Sequence, residues 1–119
     1  MHDDREPPLD RAALDGLEAV LGRDRMRGFI GEYVVQAERL RGELHQAWGR
    51  RDWEATYRPA HNLVSNAGNF GAQKVAALAD TIQRAARDHD EATAQAALAR
   101  LDQALEEARA ELIALFPQT

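Results

Sequence analysis

The chain has no cysteine. That excludes disulfides, thiolate nucleophiles and cysteine-type zinc sites, and it fits a reducing compartment. No apolar run approaches the length of about 20 residues needed to cross a bilayer. The opening Met1-His2-Asp3-Asp4-Arg5 is too polar for a secretory leader. The expectation is a soluble, cytoplasmic protein with no membrane partner. There is no excess of basic charge either: the net charge is −5, which argues against nucleic acid as a partner. The histidines His2, His45, His61 and His89 fall on separate segments, none with a second histidine at helical ligand spacing, so no metal site is expected. Nothing links a serine to a histidine and a carboxylate as a triad. Gly68-Asn69-Phe70-Gly71 follows no strand and precedes no Gly-Lys-Ser/Thr, so it is not a phosphate-binding loop. Period-two alternation and repeats of 20 to 50 residues are absent.

What remains is one domain's worth of helix. The 119 residues are 45% hydrophobic and 29% charged, so the chain can bury a single core. Alanine is abundant and β-branched residues are sparse, which favours helix. Residues 1–8 carry charge and two prolines and are expected to form a disordered arm; residues 9–116 are expected to form the folded domain. Asp10 can cap a first helix carrying Leu14, Leu17 and Leu21, which Gly22 stops. Asp24 can cap a second, with Met26, Phe29, Ile30, Tyr33, Val34, Ala37, Leu40, Leu44, Ala47 and Trp48 at helical spacing until Gly49. Asp52 can cap a third, in which Pro59 predicts a kink near Ala55 to Pro59 or a restart before His61. Asn69 and Gly71, both tolerant of left-handed backbone, close it. A fourth helix from about Ala72 carries Val75, Leu78, Ala79, Ile82 and Ala86, and Asp88-His89-Asp90 breaks it. A fifth carries Leu98, Leu101, Leu105, Ala108, Leu112 and Leu115 up to Pro117. The fold class expected is all-α: an antiparallel up-and-down four-helix bundle with the short first helix as an accessory lid.

The chemistry concentrates in the third helix. Ala60, Leu63, Ala67 and Phe70 are spaced three, four and three apart and make one buried stripe. His61 lies one position off that stripe, about 100° round, with its ring reachable. Tyr57, Val64, Ser65 and Gly68 share its face, and the small Ser65 and Gly68 would let another protein approach closely. A neutral imidazole nitrogen near its free pKa of about 6.5 is a good phosphoryl acceptor without a further base. Arg58 and Ser65 are the first candidates to contact phosphate oxygens, with Asn62 and Asn69 as further donors.

The run Ala60-His61-Asn62-Leu63, followed by Ala67-Gly68-Asn69-Phe70-Gly71-Ala72, resembles the signature of histidine-containing phosphotransfer (HPt) domains. Leu21-Gly22-Arg23-Asp24, Ala47-Trp48-Gly49-Arg50-Arg51-Asp52-Trp53 and Leu78-Ala79-Asp80 through Asp90 extend the likeness over about Leu9 to Leu115. The resemblance implies that His61 accepts a phosphoryl group from a receiver-domain aspartate and passes it to another receiver. It implies a phosphocarrier rather than an enzyme, with no ATP site and no bound cofactor, the Mg²⁺ used in transfer being the receiver's. Response-regulator receivers, a hybrid histidine kinase and a monomeric state are the implied partners and form; Tyr57, Val64 and Gly68 would flank the docked receiver. Val64 and Ser65 depart from the family's usual lysine and glycine, with Arg58 or Lys74 left as substitute cations. The alternatives are an inactive HPt-like module that binds a receiver or kinase without carrying phosphate, and a structural bundle.

Overall fold

The structure is a computed structural model that describes residues 6–118. The arm expected over residues 1–8 lies outside the described residues for residues 1–5. Among the described residues all regular structure is helical: α1 (Arg11–Leu21), α2 (Arg23–Gly49), α3 (Trp53–Gly68), α4 (Gln73–Arg87) and α5 (Glu91–Leu115). The 27 residues of α2 span about 40 Å at 1.5 Å per residue, close to the 42 Å long axis of the molecule. α3 packs against α2 and most intimately against α4, α4 packs against α5, and α5 returns to α2.

Each helix starts and stops for identifiable reasons. The Asp10, Asp52 and Asp90 side chains accept from the backbone N–H groups of Ala13, Ala55 and Thr93, satisfying donors that each first turn would otherwise leave free. Asp24 does not cap α2. Gly22, at φ 86°, ends α1 and begins α2 in one residue, so Asp24 falls inside the first turn of α2, where its charge faces the positive helix end. Asn69 likewise stays right-handed (φ −60°), and Gly71 alone turns left-handed after α3 (φ 71°). Helix α3 runs unbroken through Pro59, so there is no restart before His61. Thr56, Pro59 and Ala60 are all buried, and this packing holds the turn that proline weakens.

The core is one seam. Met26, Ile30, Tyr33, Leu40 and Leu44 of α2 meet Ala60, Leu63 and Ala67 of α3, Val75, Leu78, Ala79 and Ile82 of α4, and Leu98, Leu101, Ala108 and Leu112 of α5. Phe29 is not part of it: its side chain is 39% exposed because it lies a quarter-turn off the Met26–Ile30–Tyr33 seam. At one end, Trp48 meets Trp53 edge-on at 5.5 Å, Trp53 stacks on His89 at 5.0 Å, and Trp48 Nε1 donates to Gln95 Oε1 at 2.7 Å. At the other end, the Asp10 N–H donates to the Gly71 carbonyl at 2.7 Å and Arg11 pairs with Glu111 at 3.2 Å, which brings the start of α1 to the α3–α4 turn and to α5.

Two stability outcomes follow. A Cβ on Gly71 would lie 2.9 Å from the Asp10 carbonyl oxygen in a backbone conformation unfavourable to L side chains. Gly71→Ala should therefore lower unfolding free energy by about 1–3 kcal/mol in a urea titration. The buried Tyr33 hydroxyl has no hydrogen-bond partner among the described residues, and burial pushes its phenol up to about 12. The folded protein then keeps a proton that the unfolded chain releases from about pH 10, so stability falls as pH rises from about 10 to 12. Tyr33→Phe should leave stability at neutral pH unchanged or raised by up to about 1 kcal/mol, and should flatten that alkaline fall.

Candidate phosphoryl-acceptor site

Helix α3 turns Thr56, Pro59, Ala60, Leu63 and Ala67 into the core, and this fixes where its other side chains point. His61 is exposed, as its place off the stripe requires. Its ring is nonetheless held on two sides. Tyr57, one turn earlier, stacks on it with centroids 5.6 Å apart and planes 11° from parallel. Across the α3–α4 contact, Nδ1 lies 2.9 Å from Oε1 of Gln83.

Gln83 is in turn oriented. Its Nε2 donates to Oδ1 of Asp80 at 2.7 Å, and the other carboxylate oxygen of Asp80 meets Nε of Arg84 at 3.1 Å. A carboxylate only accepts, so the amide nitrogen of Gln83 must face Asp80 and the amide oxygen must face His61. That oxygen can only accept, so neutral His61 carries its proton on Nδ1 and leaves a lone pair on Nε2. The arrangement presents an unprotonated ring nitrogen at the surface without a general base having to remove a proton.

The remaining candidates divide by distance. Ser65 is exposed, about 6 Å further along the helix and some 40° round. Gly68 is exposed and nearly in line with His61 two turns on, so the surface beyond the ring is low. Val64 is half-buried and packs against the core beside the ring. Asn62 is exposed but about 100° away. Asn69 lies about 12 Å along the axis as the C-cap just past the helix, distant from the ring. Arg58 is exposed on the preceding turn, with its guanidinium 3.5 Å from Glu54.

Lys74 does not substitute for the lysine that Val64 replaces. It is buried, and its ammonium is 3.6 Å from Glu107 of α5. Nine residues separate it from Gln83 on α4, which is half a revolution and about 13.5 Å away from the side that meets His61. Gln83 and Asp80 were missed by sequence reasoning. The available signal was a polar pair at i, i+3 on the edge of the Leu78–Ala79–Ile82–Ala86 stripe, a spacing that allows mutual hydrogen bonding. Among the described residues, no cluster of three or more His, Asp or Glu side chains is placed to hold a metal ion. No helix among them is long and apolar enough to cross a membrane.

Comparison with known proteins bears on the fold and the family. No curated protein matches the sequence significantly. Among solved structures, the crystal structure of histidine-containing phosphotransfer protein B (HptB) from Pseudomonas aeruginosa PAO1 superposes with a TM-score of 0.88 over 95% of this chain and 97% of that one. The two are 22% identical, so this likeness speaks for the fold. The sequence model of the Hpt domain matches residues 28–111, well over half of the chain and including His61, Gln83 and both helices that carry them. The chain belongs to the Hpt domain family.

Proposed function

We propose that the protein is a phosphocarrier of a two-component phosphorelay whose phosphoryl acceptor is Nε2 of His61. The observation that carries this reading is the His61–Gln83 hydrogen bond, which leaves Nε2 unprotonated on an exposed ring. In the step proposed, the Nε2 lone pair attacks the phosphorus of a receiver's aspartyl phosphate. The N–P bond forms, the P–O bond to the carboxyl group breaks, and the aspartate leaves as a carboxylate. The Nδ1 proton stays in place, so the ring becomes cationic, and the Gln83 oxygen stabilises that charge. Transfer onward to a second receiver is the reverse reaction. Any Mg²⁺ belongs to the receiver, and the Hpt chain supplies no ATP site.

The helix order and the neighbour relations α2–α3, α3–α4, α4–α5 and α5–α2 support an antiparallel up-and-down four-helix bundle with α1 as accessory lid. Receiver docking around His61 is favoured by the low surface at Ser65 and Gly68 and by Tyr57 and Val64 beside the ring. The exposed Phe29 and Val35 of α2 border a separate groove with Asn66 of α3 and Phe70 of the α3–α4 turn, about 140° round α3 from His61. Ser65 and Arg58 are the phosphate-oxygen contacts proposed, Arg58 after giving up its exposed pairing with Glu54, which costs little.

One observation favours a second reading. The position where the family keeps its lysine is an apolar, half-buried valine, and Lys74 lies elsewhere. A module that docks a receiver without carrying phosphate would look the same at this residue. Incubation with a phosphorylated receiver separates the two. Acid-labile label should appear on the wild-type chain and be absent from His61→Gln; label persisting on the variant would mean the wrong residue has been chosen, and receiver binding without label on wild type would favour the inactive module. Val64→Lys should restore a charge-assisted contact of about 1.5–3 kcal/mol, raising the phosphorylated fraction at equilibrium by roughly tenfold or more. An unchanged fraction would show that Arg58 or another cation already neutralises the phosphoryl group.

A further inference from the structure

We infer that Asp80 is a positioning residue that selects the reactive tautomer of His61 by fixing which end of the Gln83 amide faces the imidazole. This rests on His61 being the phosphoryl acceptor, but it concerns a residue that touches neither the ring nor the phosphoryl group.

A glutamine side chain is ambiguous at such a position. Its oxygen and nitrogen are nearly isosteric, and either can reach a ring nitrogen. With the oxygen toward His61, the ring must donate from Nδ1, and Nε2 keeps its lone pair. With the nitrogen toward His61, Nδ1 must accept, the neutral ring carries its proton on Nε2, and the outward nitrogen cannot attack phosphorus. The hydrogen bond from α4 to α3 would be equally well formed in both states. Glutamine by itself therefore secures the position of the ring and not its protonation pattern.

Asp80 removes the ambiguity. It sits one turn before Gln83 on the same helix, and its Oδ1 accepts from the Gln83 amide nitrogen at 2.7 Å. Turning the amide over would set its oxygen against a carboxylate oxygen, replacing a charge-assisted hydrogen bond with repulsion. The carboxylate is itself held: Oδ2 meets Nε of Arg84 one turn on at 3.1 Å. Arg84 and Gln83 thus both donate to Asp80, His61 donates to Gln83, and the fixed acceptor at Asp80 sets the direction of the hydrogen bonds as far as the proton on Nδ1. The groups facing the ring are Tyr57 from α3 and Gln83 from α4.

The test uses a readout separate from phosphotransfer. Long-range ¹H–¹⁵N spectra of the full chain at about pH 9, above the ordinary imidazole range, report which ring nitrogen of His61 is protonated. Wild type should show Nδ1–H. Asp80→Ala should raise the Nε2–H form to roughly half of the population or more and slow phosphoryl uptake from a phosphorylated receiver by about two- to fivefold, in proportion to the reactive tautomer lost. Gln83→Glu supplies a carboxylate that can only accept, so the double variant Asp80→Ala/Gln83→Glu should return to Nδ1–H and recover uptake. Asp80→Asn, which retains side-chain volume, should shift the tautomer in the same direction should Asp80→Ala not fold. The inference is overturned by a wild-type tautomer in the folded Asp80 variants, or by a double variant that stays in the Nε2–H form. A tautomer shift in a chain whose wild type takes no phosphoryl group would leave Asp80's positioning role intact and remove the phosphocarrier reading instead.

Discussion

The site depends on how closely α3 and α4 approach each other. Gln83 reaches the imidazole directly, at 2.9 Å, only because two helix backbones lie near enough for one short side chain and one ring to meet. The buried positions of the pair explain how. Ala60 and Ala67 of α3 and Ala79, Ala85 and Ala86 of α4 are all buried, so much of the surface these helices bury is a methyl group deep. Larger residues there would fill the same core yet separate the axes, and the ring would lose its partner while the fold survived. The abundance of alanine is thus more than helix propensity.

The same packing reconciles two demands on His61. A phosphoryl acceptor, the role proposed for His61, has to be exposed, and an exposed side chain ordinarily samples several rotamers. Here Tyr57 covers one face of the ring and Gln83 holds Nδ1, so the entropy of ordering is met before a partner arrives and Nε2 alone is left for chemistry. The less usual feature is electrostatic. Val64 gives this surface an apolar side chain where a fixed cation would stabilise the phosphorylated state, and Lys74 is committed to α5. Under the phosphocarrier role proposed above, stabilisation of the phosphoryl oxygens would fall to Ser65, to the exposed Arg58 and to whatever the docked receiver contributes.

Much of this was legible in the residues. The caps at Asp10 and Asp52 and the turn at Gly71 are local, whereas Asp90 reads only as part of a helix-breaking loop; spacing alone puts His61 off the buried stripe of its helix. Two of the departures show how chain continuity and packing override a local signal. At Gly22 one residue ends one helix and starts the next, so a good capping residue two positions later, Asp24, was left inside the helix. At Pro59 the helix continues without the restart offered as one alternative, because the turn around it is buried. The site was only half readable, because the hydrogen bond that defines it joins residues 61 and 83 across two helices. No spacing rule reports which polar side chain on one helix edge meets which on another, and the 13.5 Å or so separating Lys74 from Gln83 is equally invisible until α4 is placed.

The most direct measurement of the central claim is the position of phosphorus on the ring. Uniformly ¹⁵N-labelled protein, phosphorylated by a receiver domain, can be read by ³¹P–¹⁵N coupling. The expected result is a one-bond coupling to Nε2 of His61 with Nδ1 still protonated. Phosphorus coupled to Nδ1, or to a nitrogen of any other residue, would contradict the account.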